Sequence, residues 1–274
     1  MFVAKAVAAA LLVTSFGGLA TPETEAAYDN KAKIESMRAD CMKEQGLTYL
    51  PEKVLKRERT KEERARLAGD YEALRAYRAR YGFGVWSKLV FPGDPAVDRD
   101  MGESRNNKLL MSLSAKDLKA WRAASEGCFA KAVKSVLGKT VTSEADFLAD
   151  VNAALDRGLR ELDTDKKLAA LGKKFGSCLK IAEARPTVLA DRGRATFTKQ
   201  ATEVARTQSK SSFPKGAVVL PRLTPEQAKP YLAKEVTAAL ADLECGKAFY
   251  PAYAPRARAI QERVYQEYAL DFAL

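Results

Sequence analysis

The chain has 274 residues, of which 47% are hydrophobic and 30% are charged, a balance typical of folded globular proteins and not of disordered ones. It contains no histidine, which excludes histidine-based nucleophile triads, histidine-ligated metal sites and imidazole acid–base catalysis. The 46 lysines and arginines outnumber the 35 aspartates and glutamates. The resulting formal net charge of +11 either favours anionic partners or serves only to keep the protein soluble.

The N-terminus has the features of a secretory signal peptide, which we predict to span residues 1–27. Lys5 provides a short positive region, and an apolar run without acidic residues extends over residues 6–20. Small residues allow cleavage after Ala20 or after Ala26. The run is too short and too rich in alanine and glycine for a permanent membrane span. We therefore predict a secreted, envelope-associated protein without a transmembrane segment.

The first part of the mature chain predicts helices interrupted by glycine and proline. Apolar residues at helical spacing indicate a helix over residues 29–46. Charged residues dominate residues 52–80, which we interpret as the solvated face of one long surface helix. Two glycines in residues 81–86 break that helix and are expected to expose three aromatic side chains. Residues 87–111 show no sustained period and are predicted to form a long loop.

Residues 114–137 give the clearest helix signal in the chain. Ser114 followed by Asp117 is typical of a helix start, because a serine can cap the first turn and an acid favours the positive end of the helix dipole. Apolar residues then recur at steps of three and four. Cys128 lies on this apolar face, so we predict that it points into the interior.

Residues 143–222 predict two clear helices followed by a segment that is only partly helical. One helix is expected to begin at Ser143, and another to occupy residues 168–182 until Pro186 ends it. Residues 187–222 are predicted to be partly helical as far as Thr207. The remainder of that stretch is interpreted as a loop with at most a short strand at residues 217–220.

The C-terminal part predicts a central helix and a closing helix. Thr224 followed by Pro225 and Glu226 is typical of a helix start, and two apolar stripes follow it, so we expect neighbours on both sides of this helix. Residues 256–274 are predicted to form the last helix. The fold class is therefore all-α: a disulfide-stapled multi-helix domain with long irregular connections, formed as a single domain by residues 28–274.

Four cysteines in an exported chain predict two disulfides. Their wide spacing contains no Cys-x-x-Cys pair, so we predict no metal site and no cofactor. Three pairings are possible, and the sequence does not choose among them. We favour one bridge in each half, which pairs Cys41 with Cys128 and Cys178 with Cys245.

A candidate anion-binding patch lies in the charged segment. Arg75, Arg78 and Arg80 are interleaved with Tyr71, Tyr77 and Tyr81, an arrangement also found where proteins bind single-stranded nucleic acid. The competing interpretation is that these arginines belong to an ordinary solvated helix face.

Several short motifs follow one another in an order that resembles a group of uncharacterised exported proteins and lipoproteins of actinobacteria. The motifs are Cys41-Met42-x-x-x-Gly46, Tyr81-Gly82-Phe83-Gly84, Trp121 before Gly127-Cys128, Cys178, and Glu235 with Asp242 and Cys245. The resemblance implies export and a helical fold with paired cysteines, and it implies no catalytic residue. Unlike the lipoproteins, this chain has no cysteine after its apolar run to accept a lipid.

These features predict an exported, non-enzymatic envelope protein with a basic surface, acting as a binding or structural component. The predicted partner is an anionic envelope polymer or lipid surface. One alternative is a carboxylate-based cell-envelope hydrolase, because glycoside hydrolysis needs two acids and no histidine. Another alternative is a secreted nucleic-acid binder. The sequence identifies neither a ligand nor a substrate.

Overall fold

A computed structural model describes residues 22–54, 59–97, 104–208 and 218–270 of the chain. These residues form helices joined by turns and loops and contain no β-strand, which confirms the all-α prediction. The short strand expected near residue 220 is absent from the described part of that segment. The helices are α1 Pro22–Glu44, α2 Lys61–Leu67, α3 Tyr71–Tyr81, α4 Ser87–Val90, α5 Asn107–Ser112, α6 Ala115–Leu137, α7 Glu144–Arg160, α8 Lys166–Cys178, α9 Pro186–Gln208, α10 Pro225–Cys245 and α11 Tyr250–Glu267.

Residues 1–21 of the predicted signal peptide lie outside the described residues. Helix α1 begins at Pro22, within the predicted peptide, and Ala27 is already buried in the core. Of the two cleavage sites that the sequence allows, the one after Ala20 would leave α1 whole. The boundary at residue 27 stays a prediction. None of the described helices is both long enough and apolar enough to cross a membrane.

Helix α6 pairs with α1 to organise the first half of the fold, and its predicted start is confirmed. The Ser114 hydroxyl accepts the Asp117 N–H at 3.1 Å, and Gly138 ends the helix in the left-handed conformation that glycine adopts most easily. The disulfide between Cys41 and Cys128 joins the two helices, and Cys128 is buried as predicted.

The second half is built around α10, which packs against α3, α4, α8 and α9. The predicted helix start is confirmed, because Thr224 and Gln227 form a reciprocal capping box. The disulfide between Cys178 and Cys245 joins α8 to α10. Both favoured cysteine pairings are therefore confirmed. The buried residues of α10 follow one stripe, from Ala228 to Leu243, whereas Ala241 of the second predicted stripe is exposed.

The two disulfides differ in their exposure, so we expect them to differ in their rates of reduction. Cys128 is 1% exposed, whereas Cys178 lies at the exposed C-terminal end of α8. Because thiol–disulfide exchange needs access to a sulfur atom, a mild reductant should open Cys178–Cys245 at a rate higher by about tenfold. Timed alkylation followed by peptide mass spectrometry would measure both rates. Equal rates in the native protein, or faster loss of Cys41–Cys128, would contradict this expectation.

The prediction of one long helix over residues 52–80 is wrong, because α2 and α3 are separate. Gly69 adopts a φ of 77°, which ends α2, and the Asp70 carboxylate accepts the Ala73 N–H at 2.8 Å to begin α3. Gly69 followed by Asp70 is the local sequence signal for this break, and charged residues on both sides of it give the segment the composition of one continuous surface helix.

Other boundaries also differ from the sequence predictions. Helix α8 ends at Cys178, after which Lys180 adopts a φ of 57°, and Pro186 begins α9 instead of ending α8. A proline suits the first turn of a helix because its missing N–H has no partner there. The predicted long loop over residues 87–111 also contains the short helices α4 and α5.

Candidate functional site

A buried carboxylate on α10 fixes the turn formed by residues 81–86. Glu235 is fully buried, and its carboxylate accepts the backbone N–H groups of Phe83, Val85 and Trp86, each at 2.9 Å. A Cβ atom at Gly82 would lie 2.6 Å from Glu235 Cγ, so only glycine fits there. Burial raises the pKa of Glu235, while the N–H donors act in the opposite direction. The turn is thus fastened to α10.

The expectation that this turn exposes three aromatic side chains is wrong. Trp86 is completely buried and stacks on Tyr231, with ring centroids 4.3 Å apart. Tyr81 is 8% exposed and donates its hydroxyl to Asp94 at 2.8 Å. The Glu235 carboxylate holds the backbone of the turn, and Tyr81 and Trp86 are buried with it, whereas Phe83 is partly exposed.

The structure does not bring the three arginines of the predicted anion patch together. Arg78 is buried, and its Nη1 lies 2.6 Å from Asp242 Oδ1 and donates to the Ala239 carbonyl at 3.0 Å. Arg80 is exposed and pairs with Asp94 at 3.2 Å, and Arg75 is also exposed. Arg78 is therefore engaged inside the protein, and anion binding by Arg75 and Arg80 stays a prediction.

The tyrosines of that segment are also engaged in contacts. The Tyr71 hydroxyl donates to Glu244, and the Arg66 guanidinium lies 3.9 Å above the Tyr77 ring. Tyr77 in turn contacts Tyr81, with ring centroids 5.0 Å apart. These contacts leave less of the tyrosine rings free to stack on nucleic-acid bases.

A half-open cleft of about 730 Å³ lies between the 81–86 turn, α4, one face of α9 and the extended residues 218–220. Its size is within the range of small-molecule binding sites. The residues that line it are Gly84, Val85, Lys88, Asp191, Arg194, Ala195, Thr198, Lys199, Thr202, Glu203, Arg206, Val218 and Leu220.

Positive charge predominates in the cleft. Lys88, Arg194, Lys199 and Arg206 are all exposed, and no carboxylate of the described residues forms a salt bridge with any of them. The acidic residues of the lining are Asp191 and Glu203. Desolvation by the surrounding protein raises the pKa of Asp191, and the positive charge of Arg194 lowers it in part. The four cations are thus available to an anionic ligand.

Both walls of the cleft are held in place by specific hydrogen bonds. On one side, Glu235 fixes the turn that contains Gly84 and Val85. On the other, the Thr202 hydroxyl donates to the Thr198 carbonyl at 2.9 Å and accepts the Val219 N–H at 3.3 Å. The cleft is therefore preorganised, which lowers the entropic cost of binding a ligand.

Sequence analysis does not identify this cleft. The lining residues of α9 recur at steps of three and four, which is the spacing of one helix face, but the sequence predicts only partial helix over residues 187–207. The signal lies in the polar residues of that face, which apolar periodicity alone does not reveal. Within the described residues, no group of three or more acidic or cysteine side chains is placed to hold a metal ion.

The motif residues behind the family resemblance have structural roles here. Glu235 holds the Tyr81-Gly82-Phe83-Gly84 motif, while Asp242 pairs with Arg78. Met42 is completely buried, and the Trp121 indole donates to the Thr48 carbonyl at 2.7 Å. These residues therefore stabilise the fold.

No family model matches the chain, and neither a curated protein nor a solved structure is significantly similar to it. Relationship to the actinobacterial exported group therefore stays a prediction. The properties of the cleft are the remaining guide to function.

Proposed function

We propose that this chain is an exported binding protein of the cell envelope and that it holds an anionic ligand in the α9 cleft. The observation that supports this most directly is the set of four cations, Lys88, Arg194, Lys199 and Arg206, which line one preorganised cleft and form no salt bridge with the described residues. Exposed cations without carboxylate partners attract anions without first having to break an internal ion pair.

Export is supported by the two disulfides, since such bridges persist in oxidising compartments. The predicted signal peptide and the resemblance to exported actinobacterial proteins point to the same compartment. In the envelope, a protein of net charge +11 is surrounded by anionic polymers and lipid surfaces, which are the partners we propose.

The arrangement of acids in the cleft favours binding over carboxylate-based hydrolysis. Asp191 and Glu203 lie twelve residues apart on α9, so their backbones are separated by about 18 Å at ~1.5 Å per helical residue. The two carboxyl groups of glycoside hydrolases lie only about 5 to 10 Å apart across the scissile bond. No other acidic residue in the described part of the chain lines the cleft.

The cleft also favours other anions over single-stranded nucleic acid. Its described lining contains no aromatic side chain. Sequence-tolerant binding of single strands relies on stacking of bases on aromatic rings as well as on positive charge. A ligand without bases therefore fits the lining better.

We predict that removing two cleft cations, as R194Q/K199Q, weakens retention of the mature, oxidised protein on an anionic surface. At about 1 kcal/mol for each lost cation, the apparent affinity should fall about 30-fold at low salt. Sedimentation with purified cell wall and with anionic liposomes would measure it. The matched control is K119Q/R122Q on α6, which removes the same charges from exposed residues outside the cleft.

The control separates a site from a general effect of net charge. The proposal requires that K119Q/R122Q bind nearly as tightly as the wild type. Equal losses in the two variants would show that net charge alone attracts the protein to anions. Absence of binding by the wild type to every anionic surface would contradict the proposed function directly.

A further inference from the structure

The four cations of the cleft are spread along its length and not gathered around one point. Arg194 and Lys199 are five residues apart on α9, and Lys199 and Arg206 are seven apart. At ~1.5 Å per residue these steps correspond to about 7.5 and 10.5 Å along the helix axis. Lys88 extends from α4 on the opposite wall. A compact monoanion could contact only part of this set.

The cations of α9 lie on both margins of the lining face. Helical periodicity places Arg194 toward one margin and Lys199 and Arg206 toward the other. Glu203 lies between Lys199 and Arg206 along the helix, at the outer edge of their margin. A bound strand can therefore cross the face obliquely from Arg194 to Lys199 and Arg206, on the side of these two cations away from Glu203. Glu203 would weaken its binding by repulsion.

The remaining lining is apolar or uncharged. Val85, Leu220 and Val218 face the cationic helix, and Val218 is 69% exposed. Such surfaces suit the carbon backbone of a polymer between its charged groups. The described lining contains no aromatic ring on which a base could stack, so a polymer without bases fits it better than a nucleic acid.

On this basis, which rests on the proposed function, we infer that the ligand is a linear polyanion without bases, bound as an extended strand of at least about 18 Å along α9. Its repeating charges are phosphodiester or carboxylate groups. Both occur in envelope polymers as a polyol phosphate or an acidic polysaccharide, and both offer oxygen acceptors to guanidinium and ammonium donors.

The experiment measures binding of fluorescently labelled poly(glycerol phosphate) and polygalacturonate fragments of graded length by anisotropy at several salt concentrations. Affinity should rise with length until the fragment spans about 18 Å. For four ionic contacts, the slope of log K against log salt should be about −3, and for R194Q/K199Q about −1.5. E203Q should bind about threefold more tightly, since a repulsive charge is removed. Whichever fragment binds more tightly identifies the charged group.

Three outcomes would overturn the inference: a wild-type slope near −1, inorganic phosphate competing as well as a long fragment, or a DNA oligonucleotide binding more tightly than both polymers. If R194Q/K199Q loses binding while the slope is near −1, the cleft is an anion site for a compact ligand, and only the extended strand is excluded. If R194Q/K199Q binds both polymers like the wild type, the proposed function itself fails at this cleft.

Discussion

Replacing Glu235 with alanine is expected to lower the free energy of unfolding by about 3 to 5 kcal/mol. The substitution leaves the N–H groups of Phe83, Val85 and Trp86 without their acceptor in a buried site, and each unsatisfied buried donor costs about 1 to 3 kcal/mol. Water entering the vacated space would recover part of that loss. Equilibrium denaturation in urea, followed by circular dichroism, would measure the change.

Two further variants make this expectation specific. E235Q retains one carbonyl acceptor and should lose about half as much stability as E235A. E226A removes an exposed glutamate from the first turn of the same helix and should cost no more than about 0.5 kcal/mol. A loss below about 1 kcal/mol in E235A would mean that the 81–86 turn is not held by this carboxylate.

The same substitution connects the fold to the cleft. Gly84 and Val85 line the cleft, and their position depends on the hydrogen bonds to Glu235. E235A should therefore weaken anion binding even at temperatures where the protein remains folded, although Glu235 itself lies outside the lining. E226A should bind anions like the wild type.

The parts of the fold that are predictable from sequence are those determined by neighbouring residues. The starts of α6 and α10 follow from Ser114 and Thr224, because a cap acts within a single turn. The burial of Cys128 follows from its place on an apolar face. In each case the decisive partners lie within a few positions along the chain.

The parts that the sequence does not predict depend on contacts between distant residues. Trp86 is buried because Glu235, far along the chain, binds the backbone around it. Arg78 looks like a surface residue in a charged segment and lies instead against Asp242 on α10. The cleft likewise combines α4 with α9 and residues 218–220. Local periodicity contains no information about such pairings.

Replacing Asp242 with alanine is expected to destabilise the protein by about 3 to 5 kcal/mol, because it leaves the buried Arg78 guanidinium without its counter-charge. Tyr250 would lose an acceptor as well. Burial raises the pKa of Tyr250, so its hydroxyl keeps its proton and donates to Asp242 in the native protein. Urea denaturation of D242A would measure the combined loss.

A double-mutant cycle separates the ion pair from its surroundings. R78M removes the cation and leaves Tyr250 as the one side chain of the described residues that donates to Asp242, so this single variant should also lose about 3 kcal/mol. R78M/D242A removes both charges, and the loss of the acceptor of Tyr250 is common to the single variant D242A and the double variant. The double variant should therefore be more stable than the sum of the single losses implies, by at least about 2 kcal/mol.

The exposed arginines of the same segment provide the matching control. R75A removes an exposed cation for which no ion pair is seen among the described residues, and R80A breaks a pair in which the arginine side chain is 60% exposed. Each should change stability by less than about 0.5 kcal/mol. If R78M lowers the free energy of unfolding by no more than R75A and R80A do, the contact of Arg78 with Asp242 does not stabilise the fold. The place of Arg78 in an anion-binding patch with Arg75 and Arg80 would then have to be tested again.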